Sequence, residues 1–292
     1  MTPRRTTRRT FIVLLAASLS CGWPIAGQAP VAAQTPAAPT PAASRPVVVL
    51  GVPAEVKDVE ARLTRVTVER VQGVPFSVGL IGSTRVILGK TNAGKVNAAM
   101  MTALAVNHYS PSAVFFTGTA GAVDPALKPG DVVLGTAIGY HDFGAATPGG
   151  FVRRATNNPV SGGVNPAFFS PDERLVGAAR RLAPALMLTP VPGTTRVPAV
   201  HEGVIVTGDA FVANPAQRDE MRRSLKAAAV EMEGAAVAQV CSQLGVPFIV
   251  IRSITDNANG GTIDDYRTNV DAASRNAATL TLAVIAEVVV RK

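Results

Sequence analysis

Cysteine and histidine are nearly absent from this chain, and their scarcity removes several chemistries at once. Only two cysteines and three histidines occur in 292 residues. Cys21 belongs to a basic-headed leader, which leaves Cys241 alone in the remainder, so neither a disulfide framework nor a thiolate metal cluster can be assembled. His108, His141 and His201 lack HExxH or comparable ligand spacing, so neither a metal nor another cofactor is expected. Basic clusters are equally scarce. Four units of the formal +8 net charge come from Arg4, Arg5, Arg8 and Arg9, and no basic run interleaved with aromatics follows them. A nucleic-acid partner is therefore not expected. The leader's apolar stretch, Phe11 to Leu19, has nine residues and is too short to span a bilayer, so no stable membrane insertion is expected.

What is present divides the chain into three parts. Residues 1–33 read as an export signal: Thr7-Arg8-Arg9-Thr10-Phe11-Ile12-Val13 resembles the twin-arginine type, and Val31-Ala32-Ala33 offers small residues for cleavage before Gln34. The product would be an exported, periplasmic protein. A lipid anchor at Cys21 competes with cleavage, but Ser18 is not the aliphatic residue that a lipobox carries three places before its cysteine. A basic, unstructured N-terminus from a misplaced start is a further alternative. Residues 34–46 form an extended Pro/Ala spacer, and residues 47–292 the folded domain.

With 47% hydrophobic and 16% charged residues, the chain has ample material for one sizeable core. Val47 to Leu50, Val66 to Val71, Gly79 to Leu88, Ala113 to Thr117, Asp131 to Gly135 and Val246 to Ile251 read as strands. Helical spacing runs through Val96, Met100, Leu104 and Val106, through Val237, Val240, Cys241 and Leu244 with Gly245 as stop, and from about Asp271 to Val289. The fold class is α/β: a single domain with a mixed, largely parallel central sheet flanked by helices. Phe143 to Ser170 loses all periodicity and reads as a long irregular loop. Gly89-Lys90-Thr91-Asn92-Ala93-Gly94-Lys95 satisfies GxxxxGK, yet Val96 follows where a phosphate-binding loop needs a hydroxyl for magnesium. It reads as a turn into a helix whose amino end faces an anion or a substrate.

Two acids occupy positions that an apolar α/β chain has little reason to tolerate. Glu233 stands at the start of the helix through Val237, and Asp256 falls just past a buried strand's carboxyl end, where ligands of open α/β sheets bind. The motifs Gly118-Thr119-Ala120-Gly121, Leu127-Lys128-Pro129-Gly130-Asp131-Val132-Val133, Gly208-Asp209-Ala210-Phe211-Val212, Val230-Glu231-Met232-Glu233 and Ser253-Ile254-Thr255-Asp256 occur in that order. Together they resemble the 5′-methylthioadenosine/S-adenosylhomocysteine nucleosidases of the nucleoside phosphorylase superfamily, over nearly all of Pro46 to Lys292.

The resemblance implies cleavage of an N-ribosidic bond through an oxocarbenium-like sugar, which requires an acid for the base, a base for water and anchors for the ribose. Asp256 matches the group that protonates adenine at N7; capping the following Asn-Gly-Gly turn is its competing role. Glu55 matches the glutamate that activates water, and a helix-start acid after Pro53 is the alternative. Glu233 matches the carboxylate that holds the ribose hydroxyls, Met232 would pack under the sugar, and Glu231 is divided between the site and solvation of the helix start. Phe211 resembles the ring that stacks on the purine, beside Val212, whose backbone meets the base edge. Thr119 stands where the typical nucleosidase has Ser, and Phe116 where it has Asn. Tyr266 lies where the family closes the ribose and the 5′ side, and the long loop leaves the 5′-substituent open.

The positions that hold phosphate-binding arginines in the phosphorylases carry Glu55 and Phe116, so water is the expected nucleophile. The reading is a purine nucleosidase acting on methylthioadenosine, S-adenosylhomocysteine or a related adenosine nucleoside. A purine nucleoside phosphorylase and a non-catalytic nucleoside-binding or storage protein are the alternatives. The resemblance also implies a homodimer.

Overall fold

The computed structural model describes residues 45–259 and 262–290. The export signal, Cys21 and all but the last two residues of the spacer lie outside the described residues. The fully buried β1 (Val47–Gly51) leads through a loop into the short α1 (Lys57–Glu60). Next come β2 (Thr64–Val71), β3 (Val74–Ile81) and β4 (Thr84–Lys90). The stretch from Gly79 to Leu88, expected as one strand, is a hairpin in which Ile81 pairs with Thr84. Its turn is legible only in Gly82, whose φ of +60° lies in the left-handed region that glycine enters without a Cβ clash.

Helix α2 (Lys95–Tyr109) buries only half of the set its spacing suggested: Val106 is buried and Leu104 packs against the core. Ala98, Met101, Ala105 and Tyr109 face the core, whereas Val96 is 78% and Met100 48% exposed. A helix with apolar residues on every side gives periodicity no face to choose. Strand β5 (Ala113–Ala122) continues past Thr117, its expected end, through Gly118 to Gly121, and β6 (Val132–Tyr140) follows. The segment expected to be irregular contains the hairpin β7 (Gly144–Thr147) and β8 (Gly150–Arg153), then the two-residue β9 (Phe168–Phe169).

The remaining elements are α3 (Glu173–Leu182), β10 (Val200–Thr207), α4 (Pro215–Leu225), β11 (Ala227–Glu231), α5 (Gly234–Gln243), β12 (Phe248–Asp256) and α6 (Thr262–Val290). Asp172 caps α3 and Asn214 caps α4, each accepting two backbone amides. Two bounds differ from expectation. Strand β12 continues past Ile251 to Asp256, and α6 starts at Thr262 rather than near Asp271.

The mixed sheet has the order β11-β10-β6-β12-β5-β1-β4-β3-β2, and β11 also pairs with β5, so one half closes on itself. Alternation along β1 supplies both layers of the core. Val48 and Leu50 join the cluster that includes residues of α2 and α5, and Val47 and Val49 the one that includes residues of α3 and α6. Since β4, β1, β5 and β12 are mutually parallel, their carboxyl ends open on one rim. Helix α6 is keyed to that rim by buried Asn276, which donates to the carbonyls of Gly130 and Thr189 at 2.9 Å and accepts the Thr189 amide at 2.7 Å. The Gly130 carbonyl also accepts Ser253 Oγ of β12 at 3.2 Å. Replacing Asn276 by Ala leaves the Thr189 amide and carbonyl without this partner and the Gly130 carbonyl with Ser253 Oγ alone. Urea unfolding of Asn276→Ala should show a loss of about 3 kcal/mol, and a loss below about 0.5 kcal/mol would show that this bracket is dispensable.

Candidate active site

Strand β11 ends on Glu231, and α5 begins at Gly234 with Glu233 as the preceding cap, so Glu231-Met232-Glu233 turns at the amino end of a helix. The helix-terminal amides converge on Glu231, which accepts Gly234 N at 2.7 Å and Glu233 N at 3.2 Å. Thr207 at the end of β10 donates its hydroxyl to the same carboxylate and accepts Ala235 N at 2.8 Å. Glu233 points elsewhere and accepts Gly94 N at 2.7 Å. The GxxxxGK turn therefore does face an anion, and the anion belongs to the protein. Lys95 N meets Asp209 Oδ1 and Lys95 Nζ meets Asp142, both at 2.8 Å.

The centre of the arrangement is a residue to which the sequence reading assigned no role. Arg252 lies within β12 and is 0% exposed. Its Nη1 donates to Glu55 Oε2 at 3.4 Å, and its Nη2 to Glu233 Oε2 at 3.3 Å and to Glu231 Oε2. The available signal was a lone charge inside the run Phe248-Ile249-Val250-Ile251-Arg252, since a buried guanidinium requires acidic partners. Glu55, on the loop after β1, is further held by Thr119 N at 2.9 Å and Thr119 Oγ1 at 2.6 Å. Gly118 makes room for this pairing: a Cβ there would sit 2.1 Å from Arg252 Nη1 and 2.2 Å from Glu55 Oε2.

All the sequence-derived candidates meet at one cavity of about 260 Å³. Glu55, Thr119, Glu231, Met232, Glu233 and Asp256 line it. Phe211, 45% exposed, and buried Val212 form part of its wall, and Tyr266 meets the Phe211 ring edge-on with centroids 5.9 Å apart. Val52 and Ala93 also line it, Ala93 from the GxxxxGK turn and Val52 with no sequence signal. No residue of 143–170 belongs to this lining. Among the described residues no group of His, Cys, Asp and Glu side chains is suited to hold a metal.

Environment separates the acids. Burial pushes the Asp256 carboxyl above its ordinary value, opposed by hydrogen bonds from Thr255 Oγ1 at 2.7 Å and Ala258 N at 2.9 Å. Burial and then the Glu231 charge push Glu233 up to about 7, while Arg252 and the Gly94 amide pull the other way. For Arg252 burial favours the neutral form, but the charges of Glu231, Glu55 and Glu233 outweigh it and hold the guanidinium firmly protonated.

The family model described as the phosphorylase superfamily matches residues 45–288. A 5′-methylthioadenosine/S-adenosylhomocysteine nucleosidase of Shewanella halifaxensis is 34% identical over 216 residues, covering 74% of this chain and 87% of that relative. The solved structure of the Neisseria meningitidis 5′-methylthioadenosine/S-adenosylhomocysteine nucleosidase in complex with methylthio-immucillin-A is similar with a TM-score of 0.71 and 31% identity, over 83% of this chain and 99% of that one. The Colwellia psychrerythraea nucleosidase in complex with adenine matches with a TM-score of 0.73 and 31% identity, over 84% and 96% of the two chains.

The elevated Glu233 has a thermodynamic signature. From its ordinary value of 4.5 up to about 7, the folded state keeps a proton that the unfolded chain has released, so stability falls as pH rises through that window. Relative to Glu233→Gln, the wild type should lose about 3 kcal/mol across it in urea unfolding. Parallel stability-against-pH curves for the two proteins would contradict the shift.

Proposed function

The chain belongs to the phosphorylase superfamily and, within it, to the 5′-methylthioadenosine/S-adenosylhomocysteine nucleosidase family, and we propose that it hydrolyses the N-ribosidic bond of methylthioadenosine, S-adenosylhomocysteine or a related adenosine nucleoside, releasing adenine. The observation that carries this reading is one cavity bordered by four carboxylates, of which Glu231 is taken up by Arg252, Thr207 and the α5 amides, leaving Glu55, Glu233 and Asp256 for the reaction. In the reaction the bond from the ribose C1′ to the purine breaks, with its electron pair going to the base. Asp256, whose buried carboxyl favours the protonated form, delivers its proton to N7 of the departing adenine. Phe211 stacks on the purine, and the Val212 backbone meets its edge.

The sugar side is handled by the other acids. Ionised Glu233 accepts the 2′- and 3′-hydroxyls over Met232, and Tyr266 closes the ribose and the 5′ side. Glu55, oriented by Thr119, takes a proton from the water that adds to C1′. Glu231 serves this site from behind, since its oxygens are engaged by Arg252, Thr207 and the α5 amides. Water is favoured over phosphate on electrostatic grounds. Among the described residues lining the cavity there is no lysine or arginine, and the nearby guanidinium of Arg252 is directed at carboxylates. A phosphate would meet Glu55.

The protein is proposed to be exported through its twin-arginine leader and to act in the periplasm as a homodimer. Exposed Val96 and Met100 lie on α2 a few residues beyond cavity-lining Ala93 and offer two copies an apolar face to bury. Native mass spectrometry on the periplasmic fraction is expected to find two copies of a chain beginning at Gln34. A monomer or an unprocessed chain would contradict this. The reaction is tested by adenine release from the three nucleosides with and without phosphate: release should be phosphate-independent, and Asp256→Asn should lower kcat by about 10²–10⁴ while adenine still binds. Release only with phosphate, or none from any of the three, would refute the hydrolase.

A further inference from the structure

The three carboxylates do not satisfy Arg252 completely. Its Nε is buried and has no hydrogen-bond partner, although both Nη groups are engaged. What lies against the guanidinium instead is the ring of Phe116, with the Arg252 Cζ 4.2 Å from the ring centroid. The two side chains come from neighbouring parallel strands: Phe116 pairs with Val250 and Gly118 with Arg252. The strand period of two therefore places Phe116 and the Gly118 gap on one face, beneath Arg252. Phe116 is also the position at which this chain departs from the family's Asn, a residue whose amide oxygen could accept from an arginine nitrogen.

We propose that Phe116 is a positioning residue for the reaction: its ring face holds the Arg252 guanidinium by a cation–π contact in the one orientation that commits both Nη groups to Glu55, Glu231 and Glu233. A guanidinium is planar, so a flat support underneath fixes its tilt, and Gly118 leaves the slot through which its edge reaches Glu55. A desolvated ring face attracts the cation without offering Nε a competing acceptor. The kinetic part of this inference rests on the hydrolase reading, and the geometric part does not.

The consequence falls on Glu233 as well as on Glu55. The groups facing Glu233 are Glu231 from β11, Arg252 from β12, Glu55 from the loop after β1, the Gly94 amide ahead of α2 and the Tyr266 phenol on α6. Arg252 is the one cation in that set, so loosening it raises the pH at which Glu233 ionises.

Phe116→Leu keeps the position buried and apolar but removes the ring face. Its kcat/KM should fall about tenfold, and the acidic limb of its pH profile should move to higher pH. Phe116→Asn, which supplies an acceptor for Nε, should lose less than Phe116→Leu. A packing role alone predicts the reverse order, because leucine suits a buried strand and an amide does not. Thermal melts check that each variant folds, and if Phe116→Asn does not, the limb position of Phe116→Leu decides. A crystal structure of Phe116→Leu is expected to show Arg252 Nη1 withdrawn from Glu55 and needs no turnover to be read. The proposal is overturned if Phe116→Leu leaves the guanidinium in place, or keeps kcat/KM within about threefold of wild type with an unmoved limb. A wild type that releases no adenine would sink the hydrolase reading instead, leaving the crystal geometry to test Phe116.

Discussion

One buried guanidinium among three buried carboxylates is the constraint on which the rest of this structure turns. Removing ions from water is costly, and attraction in a low-dielectric interior compensates only where geometry and additional hydrogen bonds are good. Arg252 neutralises one negative charge of the three. The remainder is distributed over dipoles: Gly234 and Glu233 amides for Glu231, the Gly94 amide for Glu233, and the Thr119 amide and hydroxyl for Glu55. Titration takes up what the dipoles do not, because Glu233 exchanges its proton near neutrality.

That cluster also explains why the sheet closes. Glu55 follows the first strand and Arg252 sits in the last, 197 residues apart, while Glu231 ends β11. Parallel pairing of β1, β5 and β12 places the first two on a common rim. Glu231 reaches the same point because β11, besides pairing with β10, runs against the end of β5 with Val230 opposite Gly121. An open sheet would leave Arg252 short of its best-held carboxylate. Gly118 then matters for the reason that Gly82 matters in the hairpin, although the physics differs: one position needs absent volume, the other a left-handed backbone.

The acids were legible in the sequence because their positions were anomalous. A carboxylate at a strand's carboxyl end or a helix's amino end is visible in one dimension, and Glu55, Glu233 and Asp256 all qualified. Thr119, Phe211 and Tyr266 entered through a resemblance, and the cavity unites them. Arg252 stands between the expected strand ending at Ile251 and the motif beginning at Ser253, and its role lies in partners distant in sequence, which no local pattern encodes. The errors in the fold have local causes. Gly82 and Ser83 interrupt a β-branched run too briefly to break the pattern, α2 is apolar on every side, and Gly118 to Gly121 imitates a turn although its glycines clear space for side chains. The GxxxxGK turn was read as facing an anion or a substrate, and the sequence could not show that Glu233 and Asp209 are the anions it meets.

The division of labour proposed for the acids matches which of them contact Arg252. Asp256 receives only a hydroxyl and one amide, so burial dominates and favours its protonated form, as an acid for a leaving purine requires. Glu233 shares Arg252 with two other carboxylates and titrates near neutrality, where a sugar anchor can still be ionised. Glu55 lies against the other edge of the same guanidinium. In the proposed reaction that contact disfavours phosphate as nucleophile. An arginine beside a cavity is a natural receptor for phosphate, and here the Glu55 carboxylate already engages the Arg252 Nη1. Choosing water over phosphate therefore needs no dedicated water site. It follows from placing an internal anion where the external one would have bound.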